Sequence, residues 1–578
     1  MQKISTLLFI IISNTMLLST YYPKNTITNL YLNKYNENKW VDSVYNSLTI
    51  DERIAQLMFI QVYSNKDTQY YNEISNLIKN YNIGGLTFFQ GGPVMQAILT
   101  NKWQQEAKTP LLVSIDGEWG LNMRLKDSVP SLPKQMTLGA IQNDSLIYLM
   151  AAEIAKQCKR IGIQINFAPV LDINSNPFNP VINNRSFGEN KINVAKKGIM
   201  FIKGLQDNGV LATGKHFPGH GDTKQDSHKT LPIIYHNKTT IDTFDIYPFK
   251  EAIKIGLNAI MVAHLFIPDI DTNKIACSLS PIIIKQILIK NIGFDGLIMT
   301  DALNMKGVSD YYPPGELEVK ALLAGNDILL LPSNVPLSIK YIKQAINNKI
   351  LNQEDIEKSC KKILSYKYKL GLYDWKPINI KNIYDDLNNN SIKTINRKLY
   401  QSAITLVKNT NNIIPIKKLD TLKIASVSLG TEKLTTFQQT MSNYANINHF
   451  NLNKNANTKE IKNLIEKLNN YNLIIIGLHN TNDKTSENYG ITNEQISFIN
   501  NLKKNKKIIL DIFANPYSLS LFKDTSSIEA IIVSYENINY AEDASAQIIF
   551  GGMPVTGKLP VSTPLFKAGH GITINNII

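Results

Sequence analysis

VLATGKHFPGHGDTKQDSH, residues 210–228, changes character half-way along. Its first eight residues form a short, mostly apolar run of the kind that suits a strand buried on both faces. The rest is too rich in glycine and charge to be regular structure, so it reads as a loop. The same order of apolar run, polar loop and longer stretch of helical period returns throughout 55–332. The runs are AQLMFIQ (55–61), GGLTFFQ (84–90), LLVSID (111–116), INFAPVLD (165–172), VLATGKHF (210–217), AIMVAHL (259–265), GLIMTD (296–301) and DILLLP (327–332). Eight parallel strands alternating with helices predict a closed (β/α)8 TIM-like barrel rather than an open doubly wound sheet. Asp116, Asp172, His216, His264 and Asp301 stand at or near the C-terminal ends of these runs. In such a barrel those ends converge on one mouth, where active sites are built.

The chain has 578 residues, too many for one ordinary core. The barrel is expected over 38–370. A polar stretch, NIKNIYDDLNNNSIKTINRK, marks a linker over 371–400. A second α/β series follows in 401–578, with apolar runs KIASVSL (423–429), NLIIIGL (472–478), KKIILDIFA (506–514) and IEAIIVS (528–534). It predicts a smaller layered α/β sandwich domain. At the other end, Lys3 precedes an apolar stretch too short and interrupted for a membrane span, so 1–22 reads as a signal peptide. That implies a periplasmic or extracellular protein with no stable membrane insertion once the signal is removed. No cysteine lies near its end, which argues against a lipid anchor.

Basic residues exceed acidic ones by 14, but the excess is spread along the chain with no basic helix or aromatic-basic array, which argues against a nucleic-acid partner. Cys158, Cys277 and Cys360 are odd in number and far apart, giving neither a disulfide framework nor metal-ligand spacing.

Three of the eight histidines fall in 214–228. The G-x-x-x-x-G-K at 209–215 is not a phosphate loop, because His216 replaces the Ser or Thr and the glycines precede or interrupt the strand they should follow. Neither HExxH nor a cysteine pair is present, so no metal is expected, and no organic cofactor either. In an extended segment Asp226 and His228 point to the same side across Ser227. A carboxylate on one imidazole nitrogen fixes the tautomer and raises the basicity of the other, which suits His228 to proton donation and acceptance. Gly219 and Gly221 are expected to let this dyad swing toward a ligand. Asp301, in an apolar frame at the end of another strand, either caps the following helix or serves as a nucleophile. With the dyad, the nucleophile reading suggests retaining glycoside hydrolysis.

KHFPGHGDTKQDSH resembles the signature of bacterial β-N-acetylglucosaminidases of glycoside hydrolase family 3: KHFPGHG, four residues, then DSH or DTH. The likeness extends through IDGEWGLNMRL, NFAPVLD with NRSFG, GFDGLIMTDALNM and FGGMPVTGKLPVS. It implies that Asp116, Arg124, Arg185, Lys215 and His216 hold the terminal sugar. It implies Asp301 as nucleophile and Asp226 with His228 as acid/base, the pair that spacing also indicates. The substrate implied is a glycan ending in β-linked N-acetylglucosamine, such as a wall-derived fragment. Single-domain cytoplasmic members carry DQEGGRV where this chain has DGEWGLN, and the segment is closer to secreted two-domain relatives. Met305 and Trp119 are candidates for the acetamide niche, and His220 is expected to brace the loop.

A β-glucosidase or β-xylosidase of the same family would take its acid/base from the second domain, where Glu487 in KTSENYG is the candidate. A non-catalytic wall-glycan-binding protein would lack the nucleophile or dyad. Phosphorolysis would also be compatible with a histidine acid/base.

Overall fold

The computed structural model describes residues 24–575 apart from 127, 228 and 503–505, with side chains from residue 34 onward. The expected signal segment therefore lies outside the described residues.

Eight parallel strands close into a barrel: β1 Met58–Tyr63, β2 Gly85–Gln90, β3 Leu112–Ile115, β4 Ile165–Asn166, β5 Leu211–Phe217, β6 Ala259–Val262, β7 Leu297–Thr300 and β8 Leu329–Leu330. Each pairs with its neighbour in sequence, β8 returns to β1, and a Met299–Ile328 bridge joins β7 to the β8 segment. Each strand falls on one of the eight apolar runs, though most are shorter. The largest shortfall is β4, whose run INFAPVLD pairs for two residues only. Pro169 has no N–H to donate, and pairing resumes beyond it, where the Leu171 N–H reaches the Lys215 carbonyl at 2.6 Å.

The barrel helices bury one face each. In Ser145–Arg160 the buried side chains include Ile147, Met150, Ala151, Ile154 and Cys158, a helical period that packs against Lys191–Gln206. The first helix, Lys24–Ser47, lies on Gln353–Lys369, with the Trp40 and Tyr368 rings 5.9 Å apart. No helix among the described residues is long and apolar enough to cross a membrane.

A second sheet has six strands: β9 Thr405–Asn409, β10 Ile424–Leu429, β11 Ile447–Leu452, β12 Leu473–Leu478, β13 Lys507–Ile512 and β14 Ala530–Val533. The order is β11-β10-β12-β13-β14-β9, parallel except for antiparallel β9 at one edge. Four of these match the sequence expectation, and β9 and β11 are additional. Both are edge strands, and β11 is largely solvated (INHFNL), so neither carries the continuous apolar run that marks a buried strand.

Within 371–400 the chain forms the helix Ile383–Leu387 and enters Asn390–Ala403. The latter buries Ile392, Ile395, Leu399 and Ala403, with Asn396, between Ser145–Arg160 and Asn539–Phe550, so most of the polar residues of this stretch lie on its outer face. The second sheet's loops lean on the barrel segments that follow β3 and β4. The Thr137 hydroxyl donates to Glu536 (2.6 Å), and the Asn174 amide donates to the Tyr517 hydroxyl (2.9 Å). The Asn515 amide donates to Asn183 (2.7 Å).

Candidate active site

The strand ends open into a cavity of about 370 Å³. Asp116, immediately after β3, accepts from Lys215 Nζ at 2.8 Å and is paired with Arg124. Two residues on, Glu118 is fully buried and takes Arg185 in a forked bond, Nε at 2.9 Å and Nη2 at 2.7 Å. Lys215, within β5, reaches both carboxylates and stands 2.8 Å from Glu118 as well. Phe89 lies under Arg124, with the guanidinium carbon 4.3 Å from the ring centre. Three cations thus interlock with two carboxylates, and planar forks of this kind suit the recognition of sugar hydroxyls. Burial by itself would raise both acids, but Arg185 and Lys215 bring Glu118 down to about 2. Lys215 and Arg124 likewise hold Asp116 well below the usual carboxylate range.

Asp172 organises the next layer. It is buried and receives the His216 backbone N–H (3.1 Å), His216 Nδ1 (2.7 Å) and the His220 backbone N–H (2.8 Å). Burial opposes its ionisation, yet His216 and His220 keep its carboxyl below the ordinary value. His216 turns its Nε2 to within 3.4 Å of Arg185. All five residues expected to hold the sugar, Asp116, Arg124, Arg185, Lys215 and His216, line this one cavity.

Asp301 follows β7 on the opposite wall. Its N–H is held by the Val262 carbonyl (2.9 Å), and its Oδ1 accepts the N–H of Ala302 (2.8 Å). The next helix starts only at Lys306, so a helix-capping role does not account for it. His264 does not line the mouth, contrary to the expectation from its place on its run. It is buried behind Asp301, where Nδ1 accepts from the Ser278 hydroxyl (2.7 Å) and Nε2 donates to the Ala302 carbonyl (3.0 Å).

In the loop after β5 the Asp226 carbonyl receives the N–H groups of Lys229 (2.9 Å) and Thr230 (3.0 Å). The backbone therefore turns at Asp226; His228, and with it the expected Asp226–His228 pairing, lies outside the described residues. Ser227, between them, lines the cavity with Asp301. The loop glycines are sites of close approach rather than hinges. A Cβ on Gly221 would lie 1.6 Å from the Ile173 carbonyl oxygen, and one on Gly219 2.9 Å from the Asp245 Cβ. His220 does brace the loop: its ring nitrogens lie 2.9 Å from the Thr223 hydroxyl and 3.1 Å from that of Ser227. Burial, with the neighbouring His216, pulls its pKa down to about 4.

Residues 49–366 match the glycosyl hydrolase family 3 N terminal domain. The chain belongs to glycosyl hydrolase family 3. This family 3 glycosidase is 33% identical over 406 residues to β-hexosaminidase A of Pseudoalteromonas piscicida, covering 64% of this chain and 67% of that one. It is 25% identical over 391 residues to a β-N-acetylglucosaminidase/β-glucosidase of Cellulomonas fimi, covering 66% and 68%. A solved family 3 β-N-acetylglucosaminidase from Paenibacillus sp. str. FPU-7 superposes with a TM-score of 0.75 at 28% identity, over 90% of this chain and 99% of that one.

The family 3 site has members that sequence reasoning missed or left unassigned. Glu118 had only the local spacing DGE to signal it. Asp172 stands out in the sequence by its position alone, and its bond to His216 crosses 44 residues. Gln61, from β1, and Asn304 complete the wall beside Met305. Trp119 faces Lys134 instead, 5.8 Å from its ammonium. Glu487 is exposed, bonded to Lys484 (2.6 Å) and Asn482 (2.8 Å). Among the described residues no group of His, Cys, Asp and Glu is arranged to hold a metal ion. The three cysteines are buried.

Proposed function

We propose that the protein is a retaining, exo-acting glycosidase that releases terminal β-linked N-acetylglucosamine. Asp301 attacks the anomeric carbon while His228, oriented by Asp226, gives its proton to the departing glycosidic oxygen, so the C–O bond breaks as the ester to Asp301 forms. Water then enters, His228 takes its proton, the ester bond breaks, and the sugar leaves with its configuration retained. The sugar hydroxyls are held by Asp116, Arg124, Arg185, Lys215 and His216. The observation that carries this reading is that Ser227, flanked by Asp226 and His228 in sequence, lines the same cavity as Asp301 and the hydroxyl-binding cluster. The β-hexosaminidase relatives favour an N-acetylhexosaminide. With export through 1–22, the substrate class is wall-derived glycan.

Kinetics of Asp301→Ala, Asp226→Ala, His228→Ala and Glu487→Ala on aryl N-acetylglucosaminide and aryl glucoside test the assignment. Loss with the first three and not with Glu487→Ala is expected, and loss with Glu487→Ala alone overturns it. Azide restoring Asp301→Ala with an inverted glycosyl azide as product would identify the nucleophile. Proton NMR of the first-formed anomer reads retention, and products formed in phosphate buffer separate hydrolysis from phosphorolysis.

A further inference from the structure

His236 lies outside the cavity, on the segment leading away from the loop after β5. Its Nδ1 is 2.7 Å from Asp245 Oδ2, and its Nε2 is 3.1 Å from Asp222 Oδ2. A neutral imidazole carries one N–H, so it can donate to one carboxylate only and must turn a lone pair toward the other. Two ionised carboxylates on opposite ring nitrogens are accommodated without repulsion by the imidazolium, which donates from both; burial raises the Asp245 carboxyl, and the bond to His236 opposes that rise. The bond from Asp245, with that residue's charge and the charge of Asp222, accordingly raises the His236 pKa above its ordinary value.

The two anchors differ in mobility of setting. Asp245 ends the π-helical turn Ile241–Asp245, its side chain 2% exposed, with Asp172 the further carboxylate acting on it. Asp222 is in the loop, four residues before Asp226, its side chain 35% exposed. Between them the loop backbone rests on Asp245 itself: Gly219 has φ +139, and any side chain there would strike the Asp245 Cβ. The inner side of the loop is pinned by the neutral, buried His220 through Thr223 and Ser227. Asp222 has its partner on the outer side.

We propose that His236 is a positioning residue for proton transfer: by bridging Asp245 and Asp222 it fastens the outer side of the loop that brings Asp226 to the cavity. This rests on the acid/base reading of Asp226 above. His236 touches neither the cavity nor the hydroxyl-binding cluster, so its loss acts on the placement of the loop and leaves sugar binding intact.

Leaving-group dependence separates positioning from general damage. A general acid matters most for a basic leaving oxygen, and its removal typically costs about 10²–10⁴-fold in rate. The assay compares kcat/KM on 2,4-dinitrophenyl N-acetylglucosaminide, whose leaving group departs unaided, with that on chitobiose, whose leaving group does not. For His236→Ala and Asp222→Asn, a fall of about tenfold or more on chitobiose is expected, as a fraction of that general-acid contribution, with less than about threefold on the dinitrophenyl substrate. The double variant Asp222→Asn/His236→Ala is expected to fall no further than either single one, because both remove the same bridge. If His236→Ala does not fold, Asp222→Asn decides by itself, since it keeps the shape of the side chain. Equal losses on both substrates, or additive losses in the double variant, overturn the proposal. Asp226→Ala run alongside identifies which reading failed. If it shows no leaving-group selectivity, the acid/base assignment falls and this inference with it; if it does and the His236 and Asp222 variants do not, only this inference falls.

Discussion

Glu118→Gln removes one charge and almost no volume from the most interlocked part of the site. The carboxylate accepts three charge-assisted contacts, two from Arg185 at 2.9 and 2.7 Å and one from Lys215 at 2.8 Å. A glutamine oxygen can accept part of that set, but its NH2 must face a guanidinium or an ammonium, donor against donor. The gap between Glu118's pKa of about 2 and the ordinary 4.5, at about 1.4 kcal/mol for each tenfold, is worth on the order of 3 kcal/mol. Breaking one side of a buried ion pair costs about 3–5 kcal/mol in general, which agrees. Urea unfolding at pH 7 should therefore show the variant less stable by roughly 3 kcal/mol at an unchanged m-value. Because the folded pKa is depressed, this contribution is complete above the unfolded-state pKa and is lost as pH falls through about 2. The difference between the two proteins should thus be constant above about pH 5 and shrink steadily on acidification. With Arg185 and Lys215 released, kcat/KM on aryl N-acetylglucosaminide should fall by about 10²-fold, equivalent to about 3 kcal/mol. A stability difference under about 1 kcal/mol at pH 7, or one that stays undiminished down to about pH 2, would refute the account of the cluster as a charge-locked frame.

Other perturbations bear on separate parts of the molecule. His220 is buried neutral with its pKa near 4, so the unfolded chain takes up its proton first as pH drops. Stability should decline by up to on the order of 3 kcal/mol between about pH 6.5 and 4 from this group, and His220→Asn should flatten that part of the urea-midpoint profile. Asp511, buried under the Ser534 and Ser545 hydroxyls, is pushed by that burial up to about 7. Its raised pKa makes it destabilising as pH climbs from about 4 through 7, so Asp511→Asn should gain stability relative to wild type at pH 8 and lose that gain at pH 4. Gly221→Ala places a methyl 1.6 Å from the Ile173 carbonyl oxygen. The loop must shift, and a loss of about 1–3 kcal/mol with a fall of at least about tenfold in kcat/KM is expected from unfolding and kinetics run together.

Much of this architecture is legible in the chain because parallel barrel strands are buried on two sides and so announce themselves as uninterrupted apolar runs. GLIMTD and VLATGKHF need no partner to be recognised, and Asp301, Lys215 and His216 follow from where those runs end. β9 and β11 escape the same reading because edge strands carry no such run. The interlock of Glu118 with Arg185 spans 67 residues, and that of Asp172 with His216 spans 44, so neither pairing has a period or motif to betray it. Local composition misled at Gly219 and Gly221, where glycine serves close packing instead of motion.

What the sequence by itself determined is the alternation that makes a barrel, the strand ends that face its mouth and the loop that follows β5. These depend on burial pattern and backbone permissiveness, which are properties of neighbouring residues. Which charges cancel, which histidine stays neutral in the core and which bridges two carboxylates outside it were decided only by tertiary structure. Those outcomes depend on distances between groups far apart along the chain and on how much water the closed barrel leaves around them.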